Sequence, residues 1–425
     1  MNNETSNMNV EANFSQTLSG KYKIFVVDSN ENIVYEQPDW QKNLILNQGM
    51  DAIASVDYSN LMYYGWNGTG TRENSILSGD SSGSVAAGVF TLVPGMSGLS
   101  SLTGSNSGYT NALQVGDMIK FNSSSAEVRV LAVSNLTASV TPSTSVSQEP
   151  FIIWKTSQVG MQTFVQRASN SDWFVGAQDG TYCGTTIVGN IQKNRRTWDF
   201  AYLTSSLTFT EVAVGWGTSQ SQIFSRILLP VAQAIGVGQK LRLLYELDIA
   251  MYPTASSPGI PATASISGWP VAPSTDTGFF YNLQKCGVIP GWVSTISQTG
   301  ALGDNRGCEP AANVGAWIGN SSASNANYDG ITARNVGTYW SSPGAMGAAA
   351  YVPFSYTLTK TNTFDVATGN RNDIRSFGIG NTWRSTGGVC ILDVYFSCVF
   401  NQPQTKLNTQ TLSLTFVWNW ARVLA

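Results

Sequence analysis

Five acidic residues fall in stretches that the sequence predicts to be loops, where paired carboxylates could cleave glycosidic bonds. This reaction needs one carboxyl group as an acid and a second as a nucleophile or base, held roughly 5 to 10 Å apart. The candidates are Asp276, Asp304, Glu309, Asp329 and Asp365. Because their spacing follows no recognisable catalytic pattern, we interpret them as solvated loop residues and predict no catalytic site.

The chain of 425 residues contains no histidine. This removes Ser-His-Asp and Cys-His catalysis and most zinc and iron sites, all of which use imidazole. The five cysteines include no CxxC motif, and their odd number does not indicate a disulfide framework. "DNRGCEP" (residues 304–310) lacks the ligand ladder of a calcium loop, and "GTGTRENSILSGD" (residues 68–80) lacks the lysine of a phosphate loop. We therefore predict that the protein is not an enzyme and has no metal and no cofactor.

Four of the thirteen tryptophans lie in a loop-rich stretch and are candidates for surface recognition: Trp269, Trp292, Trp317 and Trp340. An indole ring on a loop can stack on a sugar or anchor a contact with another protein. We rank the protein contact above glycan binding, and both interpretations stay open.

Charged residues make up only 12% of the chain, and the net charge is −3. A protein that binds duplex nucleic acid usually carries a basic face. Here the one basic run is "KNRR" (residues 193–196), which we interpret as a solvated turn, so we predict no direct nucleic-acid partner.

The first twenty residues do not resemble a secretion signal. No apolar run approaches the about 20 residues of a membrane-spanning helix, so we predict no membrane span.

The composition indicates an all-β protein. Ser, Thr, Asn and Gly fill the polar positions that Lys and Glu take on helix surfaces, and 41 glycines suit many turns. Residues 21–37 predict a hairpin, because two strand-like runs flank the turn-forming string "DSNEN". Loose helical spacing of apolar residues predicts one short helix near residues 46–55.

Two distant segments, "GQKLRLLYELDIAM" (residues 238–251) and "TQTLSLTFVWNWAR" (residues 409–422), have nearly the same pattern. Each alternates apolar and polar residues, which predicts a strand with one buried face. The inward positions are Leu241, Leu243, Tyr245, Leu247 and Ile249 in the first segment, and Leu412, Leu414, Phe416, Trp418 and Trp420 in the second. Two more segment pairs lie upstream of these, in the same order in both halves: "FTEVAVGWG" with "IRSFGIGNT", and "IFSRILLP" with "YFSCVFNQP".

We interpret these matches as two similar antiparallel β-sandwich units, with a small inserted β-barrel-like domain and long Gly/Ser-rich loops. The alternative is that unrelated strands share an alternation common to all β-proteins. The predicted organisation is a flexible N-terminal arm (residues 1–20), a first sandwich unit (21–75 and 156–252), an inserted small β domain (76–155), a loop-rich insertion (253–350), and a second β unit (351–425) completed with parts of the insertion.

Several segments together resemble virion proteins of tailed bacteriophages, the structural proteins of the tail, fibre and neck. They are "KNLILNQGMDAIAS" with "GTGT", then "RRTWDF", "FTEVAVGWG", "IFSRILLP" and "VGQKLRLLYEL", over about the middle half of the chain. The resemblance implies a structural component of the virion, assembled in the host cytoplasm, and carries over no functional residue.

Such a protein acts by assembly. The expected partners are further copies of this chain (a homo-oligomer, and a trimer by the threefold symmetry common in fibres), other virion proteins, and a host-surface glycan or receptor. Two alternatives stay open: a glycan-degrading, tailspike-like hydrolase, and a capsid or head-decoration protein.

Overall fold

A computed structural model describes residues 6–54, 61–70, 75–92, 113–124, 126–134, 137–141, 145–169, 184–188, 191–251, 260–262, 277–280, 308–319, 351–367, 370–385 and 390–424. Over these residues the chain is mostly β-strand, which confirms the all-β prediction. The short helix predicted near residues 46–55 is α1, Asn47–Ala52.

The strands, numbered in chain order, form three sheets. Twelve belong to one large sheet: β1 (Ser6–Val27), β2 (Ile33–Glu36), β3 (Gln41–Ile45), β4 (Tyr64–Gly68), β11 (Phe164–Ser169), β12 (Gly184–Val188), β13 (Ile191–Asp199), β14 (Leu207–Gly215), β15 (Ile223–Ile235), β16 (Lys240–Met251), β20 (Thr357–Phe364) and β23 (Gln410–Arg422). Six close into a barrel: β5 (Ser75–Ala86), β6 (Val89–Leu92), β7 (Met118–Phe121), β8 (Glu127–Val133), β9 (Thr137–Val140) and β10 (Val146–Trp154). Five form a third sheet: β17 (Ile260–Ala262), β18 (Thr277–Phe280), β19 (Cys308–Gly319), β21 (Arg371–Ser385) and β22 (Cys390–Lys406).

Strand β1 is the centre of the large sheet. The strand order is β11-β4-β14-β15-β3-β1-β16-β13-β12, with β2 and β23 also on β1 and with β20 on β23. The predicted hairpin is confirmed, because β1 and β2 pair in antiparallel fashion. In its turn the Asp28 carboxylate accepts hydrogen bonds from the backbone N–H groups of Asn30 and Asn32, each at 2.9 Å.

The two similar segments of the sequence become β16 and β23, and both flank β1. Strand β16 is antiparallel to residues 16–27 of β1, and β23 is parallel to residues 6–18. The predicted inward residues of β16 are all buried, and so are Leu412, Leu414, Phe416 and Trp420 of β23. The side chain of Trp418 lies outside the described residues. Alternation therefore placed the buried faces correctly, while the duplicated sandwich stays a prediction.

Residues 6–20 do not form the flexible arm that their polar composition suggested. They lie within β1, and Met8 and Val10 are buried in the main core. The segment looks polar because a strand with one buried face needs apolar residues only at alternate positions. Its partner in the sheet, β23, is some 400 residues away along the chain, and local composition does not report such a contact.

The closed barrel spans the region where the sequence predicts a small inserted β domain. Its core has three phenylalanine rings, Phe90, Phe121 and Phe151, with centroids 5.1 to 6.2 Å apart. The turn between β5 and β6 is made by Ala87 and Gly88, both with positive φ (49° and 75°). This matches the tight hairpin turns whose backbone twist suits antiparallel strands.

Asn47, at the start of α1, joins the barrel to the large sheet. Its side-chain N–H group donates to the carbonyl of Gly116 at 2.8 Å, on the barrel side. Its carbonyl oxygen accepts from the hydroxyl of Tyr356 at 3.0 Å and from the guanidinium of Arg422 at 2.6 Å. Gly116 has φ +90°, and a Cβ there would lie 2.0 Å from the Asn47 amide nitrogen, so this close approach requires glycine.

Replacing Asn47 with alanine is expected to lower the free energy of unfolding by about 2–4 kcal/mol, because buried partners lose their hydrogen bonds. The measurement is urea denaturation followed by tryptophan fluorescence. The matched control is Asn30→Ala, an exposed turn position, which should change stability by less than about 0.5 kcal/mol. Equal effects of the two substitutions would show that Asn47 is not the connecting residue.

Candidate functional site

The four candidate tryptophans are not shown to form a site. Trp317 lies in strand β19, opposite Gly378 of β21, rather than in a loop. Trp269, Trp292 and Trp340 lie outside the described residues. Their role in binding protein or glycan therefore stays a prediction.

The five loop carboxylates are likewise not shown to come together. Glu309 lies in β19, opposite Arg384 of β21. Asp365 is exposed, just after β20. Asp276, Asp304 and Asp329 lie outside the described residues. The absence of a catalytic pair among these five residues therefore stays a prediction.

A cluster that the sequence analysis missed lies on the face of β1, β16 and β13 that points away from the main core. We call it the charged face, and it consists of Lys21, Trp40, Lys193, Arg195, Glu246 and Asp248. The "KNRR" run, predicted to be a solvated turn, is in fact part of strand β13. Its alternate residues Asn194 and Arg196 are buried, and Lys193 and Arg195 lie opposite Asp248 and Glu246 in the strand register.

Glu246 is the centre of the charged face. Its carboxylate lies 2.5 Å from the Lys21 ammonium, forms an ion pair with Arg195, and is 3.9 Å from the Lys193 ammonium. Both Lys21 and Arg195 also contact the ring of Trp40, at 5.3 and 5.4 Å from its centroid. The Glu246 side chain has 0% exposure even though it lies on the outer face of the sheet.

Two carboxylates in this cluster have pKa values displaced in opposite directions. Burial raises the pKa of Asp248 to about 6, and the neighbouring Glu246 carboxylate adds to the rise while Lys21 and Lys193 oppose it. Burial also disfavours ionised Glu246, but hydrogen bonds from Lys21 and Arg195 outweigh it and hold the pKa of Glu246 below its usual value. Carboxylates with separated pKa values are typical of acid–base sites, although structural ion pairs produce the same effect.

The solvent exposure of the two carboxylates bears on whether they form an acid–base site or structural ion pairs. A catalytic carboxylate must reach a substrate atom within hydrogen-bonding distance. Glu246 is fully covered, and only 18% of the Asp248 side chain is exposed. We therefore interpret the charged face as a ladder of ion pairs between three neighbouring strands.

Other buried carboxylates join distant segments in the same way. Glu211 and Arg226 are both fully buried, with 2.5 Å between their charged groups. Glu211 also accepts hydrogen bonds from the backbone N–H groups of Gly70, Gln162 and Thr163, at 2.8 to 3.2 Å. In the barrel, Asp117 pairs with the buried Lys155. These buried carboxylates therefore connect strands and loops of the fold.

Among the described residues, no group of three or more His, Cys, Asp and Glu side chains is placed to hold a metal ion. In this same part of the chain, no helix is both long and apolar enough to cross a membrane. Comparison of the chain with protein-family models, with curated proteins and with solved structures finds no match.

The outer edge of β15 is an open strand edge in the described part of the chain. Beyond the pairs that Ser225 and Arg226 form with β3, no described strand pairs with this edge. Its sequence there, "ILLPVAQAI" (residues 227–235), carries no charge. Pro230, Ala232 and Ala234 are exposed, and 71% of Val231 is exposed. Sheet edges are usually protected by charged residues, and here Pro230 is the one residue that interferes with pairing.

The raised pKa of Asp248 predicts a specific pH dependence of stability. The folded protein holds this proton up to about pH 6, whereas the unfolded chain releases it near pH 4. Ionisation of Asp248 therefore opposes folding. The stabilisation that comes from the protonated Asp248 carboxyl is complete below about pH 4 and is lost as the pH rises through about 6. Asp248→Asn should raise the free energy of unfolding at pH 7.5 by roughly 1–3 kcal/mol and leave it unchanged at pH 4.

Urea denaturation of wild type and variant at both pH values measures this difference, and the subtraction removes the titration of other groups. The exposed Asp39→Asn is the matched control. A gain for Asp248→Asn that is the same at pH 4 and pH 7.5 would refute the assignment.

Proposed function

We propose that this chain is a structural component of a tailed-bacteriophage virion, a tail-fibre or neck protein that acts by assembly. It would fold in the host cytoplasm and be incorporated into the particle, where it contacts copies of itself, other virion proteins and a host-surface glycan or receptor. The segments that resemble tailed-phage virion proteins support this proposal. The use of buried ionic groups to join strands and loops also favours a structural protein over an enzyme.

The observation that carries the proposal is the open edge of β15. An uncharged strand edge offers unpaired backbone N–H and C=O groups to a strand of another subunit. Burial of an exposed valine such as Val231 contributes about 1.5–3 kcal/mol in addition to the new hydrogen bonds. Low charge also suits large subunit interfaces, whose cores are depleted of charged residues.

The finer architecture belongs to this proposal as well. We propose that the large sheet folds over its own core as a β-sandwich. In support, β4 and β13 are not neighbours in the sheet, yet a Cβ on Gly65 of β4 would lie 2.7 Å from Cγ of Trp198 on β13. A second, related unit would be built from residues 351–425, supported by the matching buried rows of β16 and β23.

A glycan hydrolase is the second candidate, and the separated pKa values of Glu246 and Asp248 favour it. The full burial of Glu246 ranks it below the structural role. Incubation with host polysaccharide and measurement of new reducing ends distinguishes the two. A capsid or head-decoration protein would instead be recognised by a high copy number in purified particles, against the low copy number of a fibre or neck protein.

The substitution Val231→Lys should weaken self-association. A lysine on the strand edge would have to be desolvated on pairing, as in the natural protection of edges. We expect the dissociation constant of the oligomer to rise at least about tenfold, equivalent to 1.4 kcal/mol. Sedimentation velocity over a concentration series measures it.

The matched control is Val352→Lys, because Val352 is 64% exposed but lies outside the strands. This variant should sediment like the parent. If both variants assemble like the parent, the β15 edge is not the interface. If the parent is a monomer at every concentration and does not associate with other virion proteins, the structural role itself is wrong.

A further inference from the structure

The two halves of strand β1 have different partners. Residues 16–27 pair with β16 in antiparallel fashion, and β3 and β2 also lie along this half. Residues 6–15 pair with one described strand, β23, and the pairing is parallel. The first half of β1 therefore depends on β23 for its place in the sheet.

Strand β23 in turn requires a neighbouring strand along the edge that residues 6–15 of β1 cover. Met8 and Val10 of β1 lie opposite Leu412 and Leu414 in the register, and all four side chains are buried in the main core. Without residues 6–15, this edge of β23 and the apolar groups beside it would be open to water. The position must be filled, but nothing in the pairing requires that the strand come from the same chain.

Several features suit this segment to donation between chains. Residues 6–15 span about 30 Å when extended, far enough to cross a subunit boundary. They include a single charged residue, Glu11, so little charge must be desolvated on docking. The link to the rest of the chain passes through Gln16, which is buried and makes no side-chain hydrogen bond within the described residues. A buried amide without partners destabilises this closed arrangement locally.

We propose that residues 6–15 are exchanged between copies of this chain, so that each copy supplies its first strand to β23 of a neighbour. Exchange of an identical element between protomers lets the exchanged segment form the same contacts in a neighbour, and it is a low-cost route to dimers. Strand donation also gives each joint a full row of main-chain hydrogen bonds. This inference rests on the proposed assembly role and names its partner, a second copy of the chain.

The strand register supplies a direct test by disulfide cross-linking. Asn9 and Ser413 are opposite each other on β1 and β23, and neither is buried. Chains carrying Asn9→Cys alone are co-expressed with chains carrying Ser413→Cys alone, and the mixture is oxidised. Exchange should give a disulfide-linked dimer of twice the 45.6 kDa chain mass on non-reducing gels. The parent chain, with its five native cysteines, is oxidised in parallel as the background.

The matched control pair is Thr17→Cys and Ala250→Cys, which lie opposite each other on β1 and β16, beyond the exchanged segment. Co-expressed as single variants, these chains should give no dimer above the background. The double variant Asn9→Cys/Ser413→Cys is made as well, and its cross-link checks that β1 and β23 are correctly paired.

The outcomes separate the two proposals. If the double variant cross-links only within one chain and the single variants do not link, while the protein stays oligomeric, exchange is refuted and the assembly role stands. If the protein is a monomer throughout, exchange is refuted, and if it also fails to associate with other virion proteins, the assembly role is refuted as well.

Discussion

The pairing of β1 with two strands at once holds the large sheet together. At residues 16–18, β1 is bonded to β16 on one edge and to β23 on the other, so the beginning, middle and end of the chain meet at one place. The core side chains of all three strands, including Leu18, Ile249 and Leu414, are buried together. The sheet also carries the barrel, because Asn47 links the barrel loop at Gly116 to Arg422 of β23.

The few charged residues of this chain include several that pair with one another between strands. Charged residues are only 12% of the sequence, yet several of them meet in ion pairs between strands distant in sequence, such as Lys21 and Arg195, which both pair with Glu246. A buried pair adds little net stability but penalises a shifted register, which would leave a charge unpaired. We interpret these pairs as interactions that fix the register of neighbouring strands. Outer strand edges such as that of β15 are low in charge, which suits them to subunit contacts.

Local patterns were sufficient to predict much of the fold. Alternation placed the buried faces of β16 and β23, the string "DSNEN" marked a hairpin turn, and helical spacing located α1. Non-local pairing was not predictable from such patterns. Residues 6–20 look like an arm and "KNRR" like a turn until β23 and β16 supply their partners. The charged face was missed for the same reason, because Lys21, Arg195 and Glu246 meet only through the register of three strands. A signal was nevertheless present in the charged outward positions of the β16 sequence.

We propose that this protein works by joining to other subunits through its strands. An electron cryomicroscopy reconstruction of the purified protein tests that proposal most directly. It should show several copies of the 45.6 kDa chain, with a strand of a neighbouring subunit paired to residues 227–235 of β15. Single, separate chains, or an oligomer in which this edge faces solvent, would contradict it.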